Sequence, residues 1–431
     1  MCRVRLSLAL VRIPGAVPLL ALLLLPALAA AQGPAGEAPA AEAPPAERPG
    51  LFRVGSFYLT PYLNIGSMGI DTNVFYTPTE QQTDFTASLG PGLELVRPFG
   101  RESRFRLDGG LDYLWFAKTD SQRKLNGHGA AQLDLVGVKT RLFVEERYDS
   151  TFSRPSYEVY ERVQQETEGT RAFLRRNLGD RFALALLGER QRTRTDSQDY
   201  LGTDLGQTLT QDRYEAGAEL RVALTVKTQL VGGANQDWYS FPNDPGRDGD
   251  SLKVYGGFRT DDTALIAGQA LFGYQWFRLD DGGERSGFAA NVNAAWHASP
   301  KTTIGATWVR DIQYSAFQTS GATPTNATDS FELYLDKVLA HRLYFRIYGR
   351  LGSLVSDGTI TIVGPDGVET AEQDERAREA GAEFGYQFRP RVRVGVKASY
   401  TTRDSPFQTF GVDGLLVGLT VMYNPPQPTL R

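Results

Sequence analysis

Apolar and polar residues alternate with a period of two along most of this chain, from Ser56 to Tyr423. That is the period of a β-strand, whose side chains point to opposite faces in turn, and not of a helix. Residues 391–403 show it most cleanly. Val392, Val394, Val396, Ala398 and Tyr400 share one face, and Arg391, Arg393, Gly395, Lys397, Ser399 and Thr401 the other. Residues 213–224 set Tyr214, Ala216, Ala218, Leu220, Val222 and Leu224 against Arg213, Glu215, Gly217, Glu219 and Arg221. Residues 103–115 place Phe105, Leu107, Leu111, Tyr113 and Trp115 opposite Arg104, Arg106, Asp108 and Asp112. Residues 343–351 oppose Leu343, Phe345, Ile347 and Leu351 to Tyr344, Arg346, Tyr348 and Arg350.

These strands run to about ten or more residues, which matches the ~9–11 needed to cross a bilayer at a tilt and is about twice the mean soluble strand. The apolar face is thin, with Ala and Gly among Leu and Val, and a sandwich of this length needs a thicker core. After residue 50 no run approaches the ~20 apolar residues of a membrane helix. A spanning structure must then be a closed barrel, because lipid cannot satisfy open backbone groups.

Short turns are predicted near 97–101, 136–139, 178–181, 224–227, 260–262, 298–301, 339–341 and 389–390. Longer polar connections fall near 67–82, 118–124, 151–165, 196–208, 240–250, 279–286, 316–328, 356–374 and 404–411. The expected fold is therefore all-β, a transmembrane antiparallel up-and-down β-barrel of about 18 strands over residues 55–424. The same pattern implies the bacterial outer membrane, with short turns and both termini periplasmic and the long loops outside. Aromatic girdles fit: Trp115, Trp238 and Trp276 at outer strand ends, Trp296, Phe258, Phe388 and Tyr423 at inner ones. Two places resist. Trp308 falls mid-strand with Arg310 on its face, which suggests a bulge. Phe182, Leu184 and Leu186 lead onto Arg190, Arg192 and Arg194 on one face, as in a strand that protrudes from the membrane or in a slipped register.

The N-terminus has the form of a secretory signal. Arg3, Arg5 and Arg12 precede an apolar run from Ile13 to Leu28, and Ala29-Ala30-Ala31 supplies a small-residue cleavage site. Residues 1–31 are expected to be removed, with Ala29 the alternative cut. Residues 32–54 read as a disordered Ala/Pro-rich periplasmic tether, too short for a plug domain, and 425–431 as a periplasmic tail. The only cysteine, Cys2, lies inside the signal, so no disulfide, thiolate metal site or cysteine nucleophile is expected in the mature chain. Loss of Arg3, Arg5 and Arg12 leaves 43 basic against 50 acidic residues, a net charge of −7. With no basic tract, nucleic-acid binding is not expected.

The last strand, Gly414–Tyr423, carries Gly418, Val421 and Tyr423, similar to the C-terminal assembly signal of outer-membrane barrels. It departs in Leu416 and in the tail NPPQPTLR, Asn424–Arg431, whose prolines cannot extend a sheet. Near the other end, a first strand leads into Asp71-Thr72-Asn73-Val74-Phe75, a polar loop and a strand with Pro91-Gly92. This resembles the outer-membrane β-barrel porin family of exopolysaccharide gene clusters. The resemblance implies an exopolysaccharide-associated porin and carries over no functional residue.

Eighteen strands imply a lumen wide enough for water. Its expected lining, the candidate solute path, comprises Arg104, Arg106, Asp108, Asp112, Arg213, Glu215, Glu219, Arg221, Lys253, Arg259, Tyr344, Arg346, Tyr348, Arg350, Arg393 and Lys397, with Glu332, Asp336, Glu379 and Glu383 among further acids. Such charges either set solute selectivity or simply pair across strands. Arg346, Arg350, Arg393 and Lys397 would favour anionic cargo, and Tyr344 and Tyr348 could stack on sugar rings.

His128 and His297 fall on the lumen face and His341 in a turn, but no G-x-S-x-G, H-E-x-x-H or Walker pattern accompanies them, so no enzyme is expected. Asn243, Asp244, Asp248 and Asp250 could hold Ca²⁺, although their spacing misses the EF-hand, and a plain acidic loop is favoured; no cofactor or metal is expected. Pro365-Asp366-Gly367 reads as a hairpin turn in a loop that either enters the lumen or projects outward. The expected function is an outer-membrane porin that conducts or exports polysaccharide or another hydrophilic solute. The alternatives are a non-conducting structural or surface-binding barrel and an outer-membrane hydrolase. Expected partners are outer-membrane lipid, lipopolysaccharide, the barrel-assembly machinery and polysaccharide.

Overall fold

The computed structural model describes residues 51–423, except 101, 157, 262, 281, 318, 321–322, 341, 365–366, 390 and 408–410. The expected signal segment, the expected tether up to residue 50, the C-terminal tail, His341 and Pro365-Asp366 therefore lie outside the described residues. Within them, eighteen long strands form one antiparallel sheet closed on itself. They are β1 (Phe57–Asp71), β2 (Asp84–Phe99), β3 (Ser103–Phe116), β4 (Lys124–Val136), β5 (Thr140–Ser153) and β6 (Val163–Asn177). Next come β7 (Phe182–Thr195), β8 (Gln211–Ala223), β9 (Thr228–Ser240), β10 (Gly249–Thr260), β11 (Ile266–Leu279) and β12 (Glu284–Ser299). The last are β13 (Thr302–Tyr314), β14 (Thr325–Ala340), β15 (Leu343–Gly364), β16 (Gly367–Arg389), β17 (Val392–Asp404) and β18 (Val412–Tyr423). Each pairs with its chain neighbours, and β18 returns to β1, with Tyr423 opposite Leu63 and Leu416 opposite Asp71. That last pairing removes the free edges which an open sheet would leave.

Several boundaries differ from expectation. Phe52–Val54, assigned to the tether, folds back as a short strand on Phe57–Leu59. Residues 279–286 are no long loop, because β11 and β12 extend into them and leave a tight connection. The stretch 356–374 is mostly strand: β15 and β16 run on as a hairpin that ends with Gly364 opposite Gly367.

Contacts between non-adjacent strands identify the concave wall. Lys253 on β10 reaches Asp311 on β13 at 2.9 Å, and Tyr62 on β1 reaches His128 on β4 at 2.9 Å. Side chains three strands apart converge only inside a cylinder, so the charged face lines the lumen. The opposite face exposes a belt that includes Leu89, Leu111, Leu186, Val254, Phe272, Leu333, Ile347 and Val417. Trp238 and Trp276 are exposed at the long-loop ends of this belt, and Trp296, Phe258, Phe388 and Tyr423 at the short-turn ends.

The two awkward stretches resolve without register errors. β13 pairs with β14 in unbroken register past Trp308, and the one irregularity of its pairing with β12 lies at Trp296–Ser299, beside the short turn. Trp308 packs outward near Phe272 and Phe288, its indole donates to Asp329 at 3.2 Å, and Arg310 pairs with the same aspartate at 2.8 Å. β7 is likewise in continuous register on both sides. Arg192 and Arg194 simply continue its outward face beyond the apolar belt, where Asp212 accepts them at 3.3 and 2.8 Å.

Close packing of backbones needs glycine at a few points. Gly268 in β11 has φ +127°, and a Cβ there would lie 1.9 Å from the carbonyl oxygen of Asn293. Gly268→Val should therefore cost about 1–3 kcal/mol and lower the urea midpoint of the refolded barrel. Gly232→Val, where a Cβ meets nothing within 4 Å, should leave that midpoint nearly unchanged.

Candidate solute path and its capped mouth

The expected lining residues fall into local, mostly neutralised clusters. On the early strands Arg106 pairs with Glu94 at 2.6 Å, Arg104 lies 3.9 Å from Asp134, and Asp108 lies 3.5 Å from His128. Asp112 accepts a hydrogen bond from Ser88. In the middle strands Arg213 bridges Asp237 and Glu215 at 2.7 and 2.6 Å. Glu219 sits between Arg221 and Arg259 at 2.5 and 2.8 Å, and Lys253 is held by Asp311. On the late strands Glu332 joins Arg346 and Arg350 at 3.2 and 2.6 Å, and Glu379 takes Arg350 at 3.3 Å. Arg393 and Lys397 differ: among the described residues neither forms an ion pair, and each lies over a tyrosine ring, 4.8 Å from Tyr344 and 5.6 Å from Tyr348.

A second theme was not read from the sequence. Five inward tyrosines each stand directly opposite a glycine on the neighbouring strand: Tyr62–Gly92, Tyr255–Gly233, Tyr334–Gly305, Tyr344–Gly385 and Tyr348–Gly381. A Cβ on any of these glycines would fall within 3 Å of the tyrosine ring or hydroxyl. The rings thus lie flat against the wall and cover bare backbone, as aromatics do beside strand glycines. The signal was present as a Tyr at one position and a Gly at its cross-strand partner, but it needs the register to be seen.

The long-loop end of the lumen is covered. Buried Val159 and Tyr160 from loop 154–162, Tyr200 and Leu205 from 196–210, Ala316 and Phe317 from 315–324, Ile360 and Ile362 from the β15–β16 hairpin and Phe407 from 405–411 form one apolar cluster. Loops 154–162 and 315–324 leave the barrel on nearly opposite sides of the ring, so their contact spans the mouth. A buried carboxylate fastens it. Glu158 accepts from the Ser315 hydroxyl at 2.7 Å, from Asn326 Nδ2 at 2.6 Å and from the Ala316 amide at 2.5 Å. Burial pushes its carboxyl up from the ordinary range, against those donors and Arg247. Arg247, itself buried beside Phe241 and Tyr314, donates to the Ser315 carbonyl.

Loop 72–83 completes the cap. Asn73 is wholly buried, donates to Thr77 O and Asp413 O at 2.8 and 3.0 Å, and accepts from the Thr77 amide at 3.0 Å. It therefore ties this loop to β18 across the seam where the barrel closes. The Val74 carbonyl next to it accepts Arg154 at 2.8 Å and Arg162 at 3.3 Å. Arg154 stacks 3.8 Å over Tyr76, and burial, with Arg162 close by, pushes its guanidinium down to about 10. Tyr76 and Leu201 both hold positive φ, 58° and 54°, and both pack on the apolar cluster. Such backbone persists where surrounding contacts over-determine it.

A family model described as "Putative beta-barrel porin 2" matches residues 44–424. The chain belongs to that porin family. A search of the curated proteins finds no match. Among solved structures, the barrel is similar to OpdK of Pseudomonas aeruginosa with vanillate at 15% identity and TM-score 0.44, covering 85% of this chain and 97% of that one. It is also similar to the siderophore receptor PirA of Pseudomonas aeruginosa, at 10% identity and TM-score 0.41, covering 85% and 80%. The ferric preacinetobactin receptor BauA of Acinetobacter baumannii matches at 14% identity and TM-score 0.42, over 80% of this chain and 62% of that one. None of these scores reaches 0.5.

In this porin-family barrel, one sequence reading changes. Tyr344 and Tyr348 do not offer free faces to sugars. Gly385 and Gly381 back their rings, Arg393, Arg350 and Lys397 lie over them, and their hydroxyls donate to Glu383 and Glu379. The acidic loop does not converge on a cation. Asp248 accepts from the Phe241 amide and Ser240, Asp250 from Gln236 and Arg278, while Asn243 donates to Gly206 O. Among the described residues no three His, Cys, Asp or Glu side chains are placed to hold a metal. His128 faces Tyr62 and Asp108, and His297 faces Thr303 at 3.2 Å.

Two outcomes follow for the barrel. Glu158→Ala orphans three donors and should cost about 1–3 kcal/mol per donor, seen as faster protease cleavage in loops 154–162 and 315–324 with the strand core still resistant. Because Arg346 and Arg350 are neutralised, Arg393→Ala/Lys397→Ala should lower anion preference, read as reversal potential, several-fold more than Arg346→Ala/Arg350→Ala.

Proposed function

We propose that this outer-membrane porin-family barrel passes a hydrophilic solute, with polysaccharide the leading cargo, and that passage requires the long-loop cap to part. The polar wall supports the first half of this reading, since a lumen lined by paired charges hydrates a path without holding one ligand tightly. The observation that carries the second half is the contact of Glu158 with Ser315 and Asn326 across the mouth. Polysaccharide rests on the resemblance of the Asp71–Phe75 region to barrels of exopolysaccharide clusters. In this reading the long loops face outward and both termini face the periplasm, lipopolysaccharide surrounds the rim, and the assembly machinery inserts the chain.

The same cap favours a second reading, a non-conducting surface barrel whose loops present a fixed outer face. Planar-bilayer recording separates the two. The wild-type barrel should show brief, rare openings, and Asn73→Ala/Glu158→Ala should raise open probability at least ten-fold. Silence in both proteins, with the barrel folded, would favour the surface barrel instead.

A further inference from the structure

On most strands the outward polar groups sit at the rims of the apolar belt, as Asp250, Arg278, Asp329 and Arg378 do toward the long loops and Lys337 toward a short turn. Two set lower are tied down: Gln236 donates to Asp250 at 2.9 Å, and Arg310 pairs with Asp329 at 2.8 Å. One sector departs from this. On β5, β6 and β7 the outward residues Glu146, Thr170 and Arg190 stand side by side across the sheet. Counted from the short turns, this row lies where β11 presents Phe272 and Tyr274. Glu146 accepts the Thr170 hydroxyl at 2.7 Å, and among the described residues it forms no ion pair.

Just above, Glu168 and Glu166 stand directly opposite Arg192 and Arg194. These arginines turn away to Asp212 on β8. Among the described residues, Glu168 and Arg190 form no ion pair, and both are exposed. Charge on a lipid-facing wall is costly at this depth, and the belt here is too short to be covered by lipid alone. Glu168 on β6 and Arg190 on β7 lie at nearly equal height above Asn177 and Phe182, on adjacent strands, with opposite sign.

We propose that this sector is covered by a second copy of the same chain, related by a two-fold axis along the membrane normal. That axis brings Arg190 of one copy to Glu168 of the other, and the reverse, because a two-fold interface is self-complementary. Ala172, Gly188, Ala216 and Ala218 on the same outward faces keep the two walls free of bulk beside the charges.

The test uses the full-length chain in outer membranes, with single cysteines and a short bis-maleimide. A Cβ at Gly188 meets nothing within 4 Å, so Gly188→Cys should fold, as checked by heat-modifiable gel mobility. It should give a crosslinked dimer, whereas Leu333→Cys on the far wall should not. In the Gly188→Cys background, Glu168→Arg and Arg190→Glu should each lower the dimer yield at least ten-fold, and the two together should restore it. If either single reversal fails to fold, Glu168→Gln and Arg190→Gln take their places with loss expected in each. The proposal is overturned by absence of a Gly188→Cys dimer, by equal crosslinking at Leu333→Cys, which indicates random collision, or by a dimer that survives both reversals.

Discussion

Everything in this protein depends on the closure of one sheet. In a bilayer each backbone amide and carbonyl must find its partner within the protein, because no water is present to take its place. The pairing of β18 with β1 meets that demand, and it fixes which face of every strand is concave. Inward side chains then converge with residues two and three strands away, which is why Glu219 on β8 can take Arg259 from β10, and Lys253 can reach Asp311. Outward side chains diverge, and there a thin layer of Leu, Ala, Gly and aromatics suffices. The alternation in the sequence is the one-dimensional record of this cylinder.

The lumen and the mouth obey different physics. Along the wall, charges are numerous and mostly paired in local clusters, and tyrosines laid over glycines supply smooth, covered backbone. At the mouth the loops build what the strands lack, a small buried apolar core of the kind found in soluble domains, with Val159, Leu205, Phe317, Ile360 and Ile362 almost fully enclosed. Its polar members are few and each has a specific partner, as Glu158 and Asn73 show. A core assembled from several separate loops depends on its fasteners, while the barrel below depends on its ladder of strand pairings.

Much of this was legible beforehand, and the limits have physical causes. Strand identity, the polar lumen and the girdle residues Trp238, Trp276 and Trp296 follow from local alternation, which a single strand carries in its own sequence. The stretches at Trp308 and Arg190 suggest, from sequence alone, a bulge and a slipped register, yet both run in continuous register. The outward charges that give that impression are held from neighbouring strands, by Asp329 in one case and by Asp212 in the other. The cap was invisible because it joins residues such as Glu158 and Ser315 that no periodicity connects. The sequence left open only whether the loop around residues 356–374 turns inward, and its Ile360 and Ile362 do join the cap. The Asp71–Phe75 residues that carried a family resemblance hold loop 72–83 to the barrel seam.

Loops from nearly opposite sides of the ring meet over the lumen, and a distance measured across the mouth reads that contact without any assumption about cargo. Ser156 and Thr361 are exposed sites on the 154–162 loop and the β15–β16 hairpin, which leave the barrel on opposite sides. Spin labels at Ser156→Cys and Thr361→Cys, read by double electron–electron resonance in the folded barrel, should give one narrow distance well below the barrel diameter. A broad distribution, or a distance equal to the full diameter, would contradict the capped mouth.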